Sequence, residues 1–128
     1  MKRNLLCLAV FVIAMLISFE GYSQIAVKTG QFSFSSDDPG NIGRGKIGGK
    51  AAGQRSATKE IKFNTSFEAV PRILISVNSV DIRTSDVNLR YKIEPKYISK
   101  NGFVIELLTW YDSEILMMGG TWMAISEN

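Results

Sequence analysis

A series of short alternating segments, each closed by a turn signal, most constrains how this chain can fold. In residues 72–80, RILISVNSV, the side chains of Ile73, Ile75 and Val77 point to one side of an extended segment. Asn101-Gly102 is a strong hairpin signal between two later segments. Six such segments, with no convincing helix after the first two dozen residues, predict an antiparallel β-sandwich or barrel. The predicted strands are residues 25–34, 59–64, 72–80, 87–98, 103–111 and 114–125.

The N-terminus carries the pattern of a secretory signal peptide, which we assign to residues 1–23. A basic segment, 1–4, precedes a nearly unbroken apolar run, 5–18, and small residues follow at Gly21 and Ser23. The run has about 14 residues, whereas a helix that spans a bilayer needs roughly 20, so an uncleaved membrane anchor is the less favoured alternative. We therefore expect a secreted protein, whether extracellular, periplasmic or at the cell surface, with no membrane span after cleavage.

The remaining residues, 24–128, predict one small domain with a single core. The lone cysteine, Cys7, lies in the signal peptide and the chain has no His, which argues against a zinc site, a disulfide and His-based catalysis. No dedicated pair of carboxylates for glycoside hydrolysis is evident. The net charge of +3, about +2 after signal cleavage, does not indicate a nucleic-acid partner. We expect no enzymatic activity, no cofactor and no bound metal, and a domain stabilised by packing or by oligomerisation.

Residues 35–57 are rich in glycine and turn-forming residues, and they predict a long loop. One part, GRGKIGGKA at 43–51, looks like a phosphate-binding loop, but its Gly and Lys spacing does not match and no strand and helix flank it. Two interpretations stay open: a solvated loop, or a loop whose basic side chains contact an anionic glycan. Those basic side chains are Arg44, Lys46, Lys50 and Arg55.

From residue 58 onward, several features follow one another in a characteristic order. They are Ile61 with Phe63, Phe67, Pro71, Asp81, Asn88-Leu89-Arg90, Gly102-Phe103, Thr109-Trp110 and Trp122-Met123-Ala124-Ile125. TGQFSF at 29–34 and SDDPG at 36–40 precede them. Each element alone is weak, but the ordered set resembles the H-type lectin family over essentially the whole of residues 24–128.

The resemblance implies a six-stranded antiparallel β-sandwich that associates as a homotrimer. It also implies calcium-independent binding of N-acetylgalactosamine or galactose in clefts between neighbouring subunits. The family's site residues carry over onto Gly40, Arg90, Trp110 and Tyr111, and we add Asn88, which either orients Arg90 or binds the sugar directly. This chemistry suits a sugar, because a guanidinium can bind two hydroxyls at once and an aromatic ring packs against the C–H face of the ring.

The sequence departs from the family pattern at the acidic position of the site. In the family an Asp lies two residues after the position of Gly40, where this chain has Ile42. The candidates to replace it are Asp37, Asp38 and Asp112. Tyr111 stands where several members carry His. The alternative function is therefore a structural or protein-interaction module of the same fold with a lost or altered sugar site.

The two tryptophans receive different predictions. Trp122 follows the alternation of the last strand and predicts a core residue. Trp110 shares its side of a strand with residues that are not uniformly apolar, so either a subunit cleft or the core stays open for it. Arg90 is either a ligand-binding residue or an ordinary exposed residue in mid-strand. Met117-Met118 indicates packing between subunits.

Overall fold

A computed structural model describes residues 24–44, 46–47, 50–83 and 88–127 of the chain. The predicted signal peptide, residues 1–23, lies outside these described residues. Across the described ranges there is no helix long and apolar enough to cross a membrane.

In the described residues, seven strands form two antiparallel sheets that pack face to face. The strands are β1 (Ile25–Ser35), β2 (Lys46–Ile47), β3 (Lys50–Lys62), β4 (Arg72–Arg83), β5 (Tyr91–Ser99), β6 (Gly102–Tyr111) and β7 (Glu114–Glu127). The strand order is β1-β7-β4 in one sheet and β2-β3-β6-β5 in the other. Two separate sheets make the molecule a sandwich, not a barrel. The predicted six-stranded antiparallel sandwich is confirmed by the six long strands, and a two-residue β2 adds to one edge.

Two strand boundaries differ from the prediction. β3 begins at Lys50, inside the predicted loop. Its first half has no apolar alternation and becomes a strand because it pairs with β6; Arg55, for example, lies opposite Thr109. β5 begins at Tyr91, so Arg90 precedes the strand and the mid-strand assignment of Arg90 is wrong. The local backbone of Arg90 is therefore not constrained by a ladder of hydrogen bonds on both sides.

The hydrophobic core lies between the sheets and is filled by the inward positions of both. On β6 these positions are Phe103, Ile105 and Leu107, and on β1 they are Phe32 and Phe34, all buried. Phe32 and Phe34 lie two residues apart on β1 and therefore face the same side of the sheet. The remaining buried members of this core are Ile42, Ala57, Ile115 and Met118.

Trp122 packs against this core, as predicted. Its ring centroid lies 5.5 Å from that of Phe103 and 5.9 Å from that of Phe63. Farther along the same strand, a Cβ at Gly120 would overlap the carbonyl oxygen of Ser76 and would lie 2.6 Å from the ring of Phe32. This close approach requires glycine, and the pairing of β4 with β7 shifts register beside it.

Three positions of the C-terminal half lie at a sheet edge or turn the chain, each in a different way. Pro95 lies on β5, an edge strand of its sheet, where a residue without an N–H is tolerated. The hairpin predicted from Asn101-Gly102 forms between β5 and β6, and its two loop residues are Lys100 and Asn101. Asp112-Ser113, in contrast, carries the chain from one sheet to the other, since β6 and β7 belong to different sheets.

The outward faces of the two sheets differ in composition. The outward face of β1-β7-β4, which we call the apolar outer face, carries Ile25, Val27, Thr29, Gln31, Leu74, Ser76, Met117, Thr121, Met123 and Ile125, with Arg72, Asp81 and Glu127 near its two ends. The outward face of β3-β6-β5, which we call the charged outer face, carries Thr58, Glu60, Lys62, Lys92, Glu94, Lys96, Val104, Glu106, Leu108 and Trp110.

Candidate functional site

The turn between β6 and β7, residues 111–113, is the centre of the best organised polar cluster outside the core. Tyr111 has a positive φ of 61°, an uncommon conformation for a residue with a side chain. Tyr111 is 52% exposed, whereas Asp112 is only 6% exposed and Ser113 is fully buried. The turn thus presents an aromatic ring outward while it directs two polar side chains into the protein.

Arg90 binds this turn through both the charge and the plane of its guanidinium. Its Nη1 donates to Oδ1 of Asp112 at 3.0 Å. Its Cζ lies 4.9 Å from the ring centroid of Tyr111, within the range of a cation–π contact. The side chain of Arg90 is 23% exposed, so the guanidinium lies at the surface between a buried carboxylate and an exposed ring.

Hydrogen bonds between two buried side-chain hydroxyls and the backbone fix the segment that carries Arg90. The N–H of Arg90 donates to Oγ of Ser113 at 3.0 Å, and Oγ1 of Thr109 donates to the carbonyl of Arg90 at 2.8 Å. The carbonyl of Asn88 accepts from Oγ of Ser113 at 3.4 Å and from Nη1 of Arg90 at 3.3 Å. Because Thr109 and Ser113 are buried, the position of Arg90 is tied to the sandwich interior.

Trp110 is 39% exposed and does not belong to the core of the chain. The alternation of β6 places it on the charged outer face, opposite to the inward Thr109. Tyr111 departs from that alternation because of its positive φ and contacts Arg90 instead. Two large aromatic side chains therefore stand at the surface at this end of β6, and Tyr111 is the one in contact with the guanidinium.

A second arginine, Arg55, supports the same turn from inside. Its Nη1 donates to the carbonyl of Tyr111 at 2.8 Å and to that of Gly53 at 3.0 Å, and its Nη2 donates to the carbonyl of Ser113 at 2.5 Å. Arg55 is only 7% exposed. This burial does not suit the predicted contact with an anionic glycan. Arg44 is exposed, and the side chains of Lys46 and Lys50 lie outside the described residues.

Gly40 lies against the backbone of β3. Its φ is 118°, and a Cβ there would overlap the carbonyl oxygen of Ser56 on β3, so both the turn and the close approach require glycine. Two residues on, Ile42 is fully buried in the core and its carbonyl accepts from the N–H of Ile115 at 2.9 Å. The position where the family pattern has an acidic residue is thus an interior packing position in this chain.

The three candidate acidic replacements are in different environments. Asp38 is bound to Lys59 at 2.7 Å and accepts from the N–H of Ser35 at 2.9 Å. The hydrogen bond from Lys59 lowers the pKa of Asp38, and burial partly opposes this. Asp37 is at the surface of the same turn. Asp112 is the candidate that contacts Arg90, so it is the carboxylate of the cluster.

The structure therefore brings together three of the five predicted site residues, Asn88, Arg90 and Tyr111, with Trp110 next along the chain. Thr109 and Ser113 were not predicted as parts of the site. The signal for Thr109 is visible in retrospect, because it is a polar residue in phase with three inward apolar positions of β6 and so needs a buried hydrogen-bond partner. Within the described ranges, no group of three or more His, Cys, Asp or Glu side chains is arranged to hold a metal ion.

These observations define a small antiparallel β-sandwich with a guanidinium, a carboxylate and exposed aromatic rings at one end. The profile of the H-type lectin domain matches residues 58–125, more than half of the chain. The chain therefore belongs to the H-type lectin family, a family of lectins and not of enzymes.

Two kinds of relative agree with this assignment. Discoidin-2 of Dictyostelium discoideum is 25% identical over 109 residues, which cover 85% of this chain and 39% of discoidin-2. The solved structure of recombinant discoidin II superposes with a TM-score of 0.68 at 23% identity, over 85% of this chain and 40% of the other. A structure of wild-type discoidin II gives a TM-score of 0.69 at 22% identity, over 88% and 40%. At this identity the structural similarity shows the fold alone, and the chain spans about two fifths of the length of these relatives.

Proposed function

We propose that this protein is a secreted, calcium-independent lectin that binds terminal N-acetylgalactosamine or galactose in clefts between the subunits of a homotrimer. The observation that carries the proposal is the cluster of Arg90, Asp112 and Tyr111, with Trp110 exposed beside it. It combines the two kinds of group that a sugar requires, hydrogen-bonding charges and an exposed aromatic surface. The leader pattern of residues 1–23 supports secretion.

The chemistry assigns a role to each group. A sugar hydroxyl both donates and accepts, so a guanidinium and a carboxylate side by side can hold neighbouring hydroxyls or an acetamide oxygen. The rings of Tyr111 and Trp110 offer flat apolar surfaces for the C–H face of the sugar. Asn88 acts in this proposal through its carbonyl, which helps to orient Arg90.

The apolar outer face supports the trimer. Leu74 is 58% exposed, and Met123 and Thr29 lie beside it in one row across the three strands. A groove of about 520 Å³ crosses this row. Contiguous exposed apolar surface is costly in a monomer and commonly marks an interface. Burial of this face against second and third copies of the chain would place several sugar sites on one particle, which raises weak single-site affinity through effective concentration.

The test is a glycan array with wild-type protein, Arg90→Ala and, as a matched control, Lys62→Ala. Lys62 is a highly exposed cation at the far end of β3, opposite Gly102. We expect wild type and Lys62→Ala to give the same signal on glycans that end in N-acetylgalactosamine or galactose. We expect Arg90→Ala to lose most of it, because the variant leaves the buried Asp112 without its guanidinium. Equal signals from Arg90→Ala and wild type would remove Arg90 from the site.

A specific observation favours a second function, a protein-interaction module that keeps the fold without a sugar site. Ile42 is buried where the family pattern has an acidic residue, and Arg90 is already bound to Asp112. A folded, trimeric wild-type protein without signal on any glycan would favour this module over the lectin.

A further inference from the structure

Arg55 occupies an unusual environment for a charged residue. It is almost completely buried, and three of its hydrogen bonds go to backbone carbonyls, those of Gly53, Tyr111 and Ser113. Burial lowers the pKa of its guanidinium, and the charges of Glu114 and Asp112 oppose that shift. A guanidinium stays protonated under these conditions, so Arg55 is a buried cation.

This arrangement is a poor way to stabilise a fold. Removal of a guanidinium from water carries a desolvation cost that its hydrogen bonds can fail to repay, so a buried ion is weak evidence for stability. Within the described part of the chain, Nε of Arg55 is buried without a hydrogen-bond partner, which adds to the cost. What the side chain does achieve is geometric, because its planar fork joins two carbonyls that lie two residues apart in one turn.

That turn is the one that carries the proposed sugar site. Tyr111 has φ of 61°, and non-glycine residues persist in this region only when surrounding contacts hold them there. From the inside, the guanidinium of Arg55 donates hydrogen bonds to two carbonyls of the turn. From the outside, Arg90 donates to the carboxylate of Asp112 and lies near the ring of Tyr111. Arg55 and Tyr111 are 56 residues apart in the sequence, so this contact exists only in the folded sandwich.

We propose that Arg55 is a positioning residue of the site, which fixes the conformation of residues 111–113 so that Tyr111 and Asp112 meet Arg90 and the ligand. Arg55 itself does not touch the sugar. The inference rests on the proposed lectin function for its effect on binding, but its effect on the turn is independent of that function.

The experiment compares Arg55→Met, Arg55→Lys and the exposed control Lys62→Met with wild type. Binding is measured by titration with N-acetylgalactosamine, followed in ¹H–¹⁵N NMR spectra. Loss of a charge-assisted hydrogen bond from the support of a site is expected to weaken binding about tenfold or more in Arg55→Met. Arg55→Lys keeps the charge and one bond, so we expect partial rescue. Lys62→Met should bind as wild type, and the amide shifts caused by Arg55→Met should concentrate at residues 111–113.

A second comparison separates positioning from general stability. If Arg55 acts through the ring of Tyr111, Arg55→Met should change the affinity for the sugar only slightly when Tyr111 is already replaced by Ala. A loss of affinity caused by general destabilisation would persist in that background. Wild-type affinity in Arg55→Met with an unchanged turn would overturn the inference. Unfolding of both Arg55 variants would overturn it too, because Arg55 would then serve the fold and not the turn.

Failure of the lectin proposal gives a different result. If wild type does not bind N-acetylgalactosamine, the amide shifts alone decide about Arg55. Shifts confined to residues 111–113 would support its role in the turn, and shifts spread over the whole domain would contradict it.

Discussion

The two outer faces of the sandwich are built on the same backbone pattern but suit different surroundings. On the charged outer face, Glu94 of β5 binds Lys92 at 2.6 Å and Lys96 at 2.5 Å, and Lys96 lies 3.9 Å from Glu106 of β6. The middle of the apolar outer face carries Leu74, Met123 and Val27. Its ionisable side chains stand near the two ends of the face.

The difference shows that alternation decides which side chains point outward but not what lies outside. Both faces obey the strand period, and both have a buried opposite side. The ion pairs of the charged outer face are well solvated by water. The apolar outer face exposes large apolar side chains, and their burial against another protein surface would lower the free energy. The comparison therefore favours the apolar outer face as the interface of the proposed trimer, whereas the charged outer face carries Trp110 as an exposed aromatic side chain.

The largest expected effect comes from a charge on the apolar outer face. Leu74→Lys should convert the proposed trimer to monomers, because three ammonium groups would have to be buried in the interface. Light scattering should show the mass of one chain. If the sugar clefts lie between subunits, this monomer should also lose binding of free N-acetylgalactosamine.

Thr58→Lys is the matched control on the charged outer face, since Thr58 lies opposite Glu106 and points to solvent. It should keep the mass and the binding of wild type. A Leu74→Lys protein that remains a trimer would remove this face from the interface, and a monomer that still binds the sugar would place the site within one chain.

An intermediate effect is expected at Trp110. Trp110→Ala should weaken binding of N-acetylgalactosamine about two- to tenfold, which corresponds to the loss of roughly 0.5–1.5 kcal/mol of aromatic contact. The mass should not change, because this residue lies on the charged outer face. Calorimetric titration and light scattering on the same samples check both statements. Tyr97→Ala, at an exposed aromatic residue elsewhere on β5, should bind normally; a change in mass for Trp110→Ala would place Trp110 in the interface instead.

The smallest effect is expected for the ion pairs of the charged outer face. Hydrogen bonds from Lys92 and Lys96 lower the pKa of Glu94, so its contribution to stability is present above its unfolded pKa and is lost as the pH falls through its folded pKa. Glu94→Gln should lower the free energy of unfolding slightly at pH 7 and low salt, and the difference from wild type should vanish in acid and at high salt. Chemical denaturation measures this difference, with Glu68→Gln at an exposed carboxylate between β3 and β4 as control. A large difference that survives high salt would show that these pairs are more than a solvated surface.

Much of the fold was predictable because it depends on local pattern. The inward Phe32 and Phe34, the alternation of Ile73 with Ile75, and the hairpin at Asn101 are all read from a few neighbouring residues. The strand made by residues 50–57 was not predictable, because small and polar residues give no alternation and the strand forms by pairing with β6.

The site was predictable in part for the same reason. The order of motifs indicated Arg90, Asn88 and Tyr111, and the structure places them in one cluster. The roles of Arg55 and Ile42 were not predictable, because residue type in a loop-like segment does not show which segments will pack around it. Arg55 is a cation that reads as a surface residue until the carbonyls of a turn far along the chain are placed around it.

By itself the sequence determined the class of fold, the core side of most strands and the family of the domain, because hydrophobic period, turn residues and motif order are written in adjacent positions. Tertiary structure alone decided that one arginine is buried and the other lies at the surface, that Asp112 is the carboxylate of the cluster, and that Ile42 fills the core. Each of these depends on which segments distant in the chain meet across the two sheets, and burial and hydrogen bonding exist only after they meet.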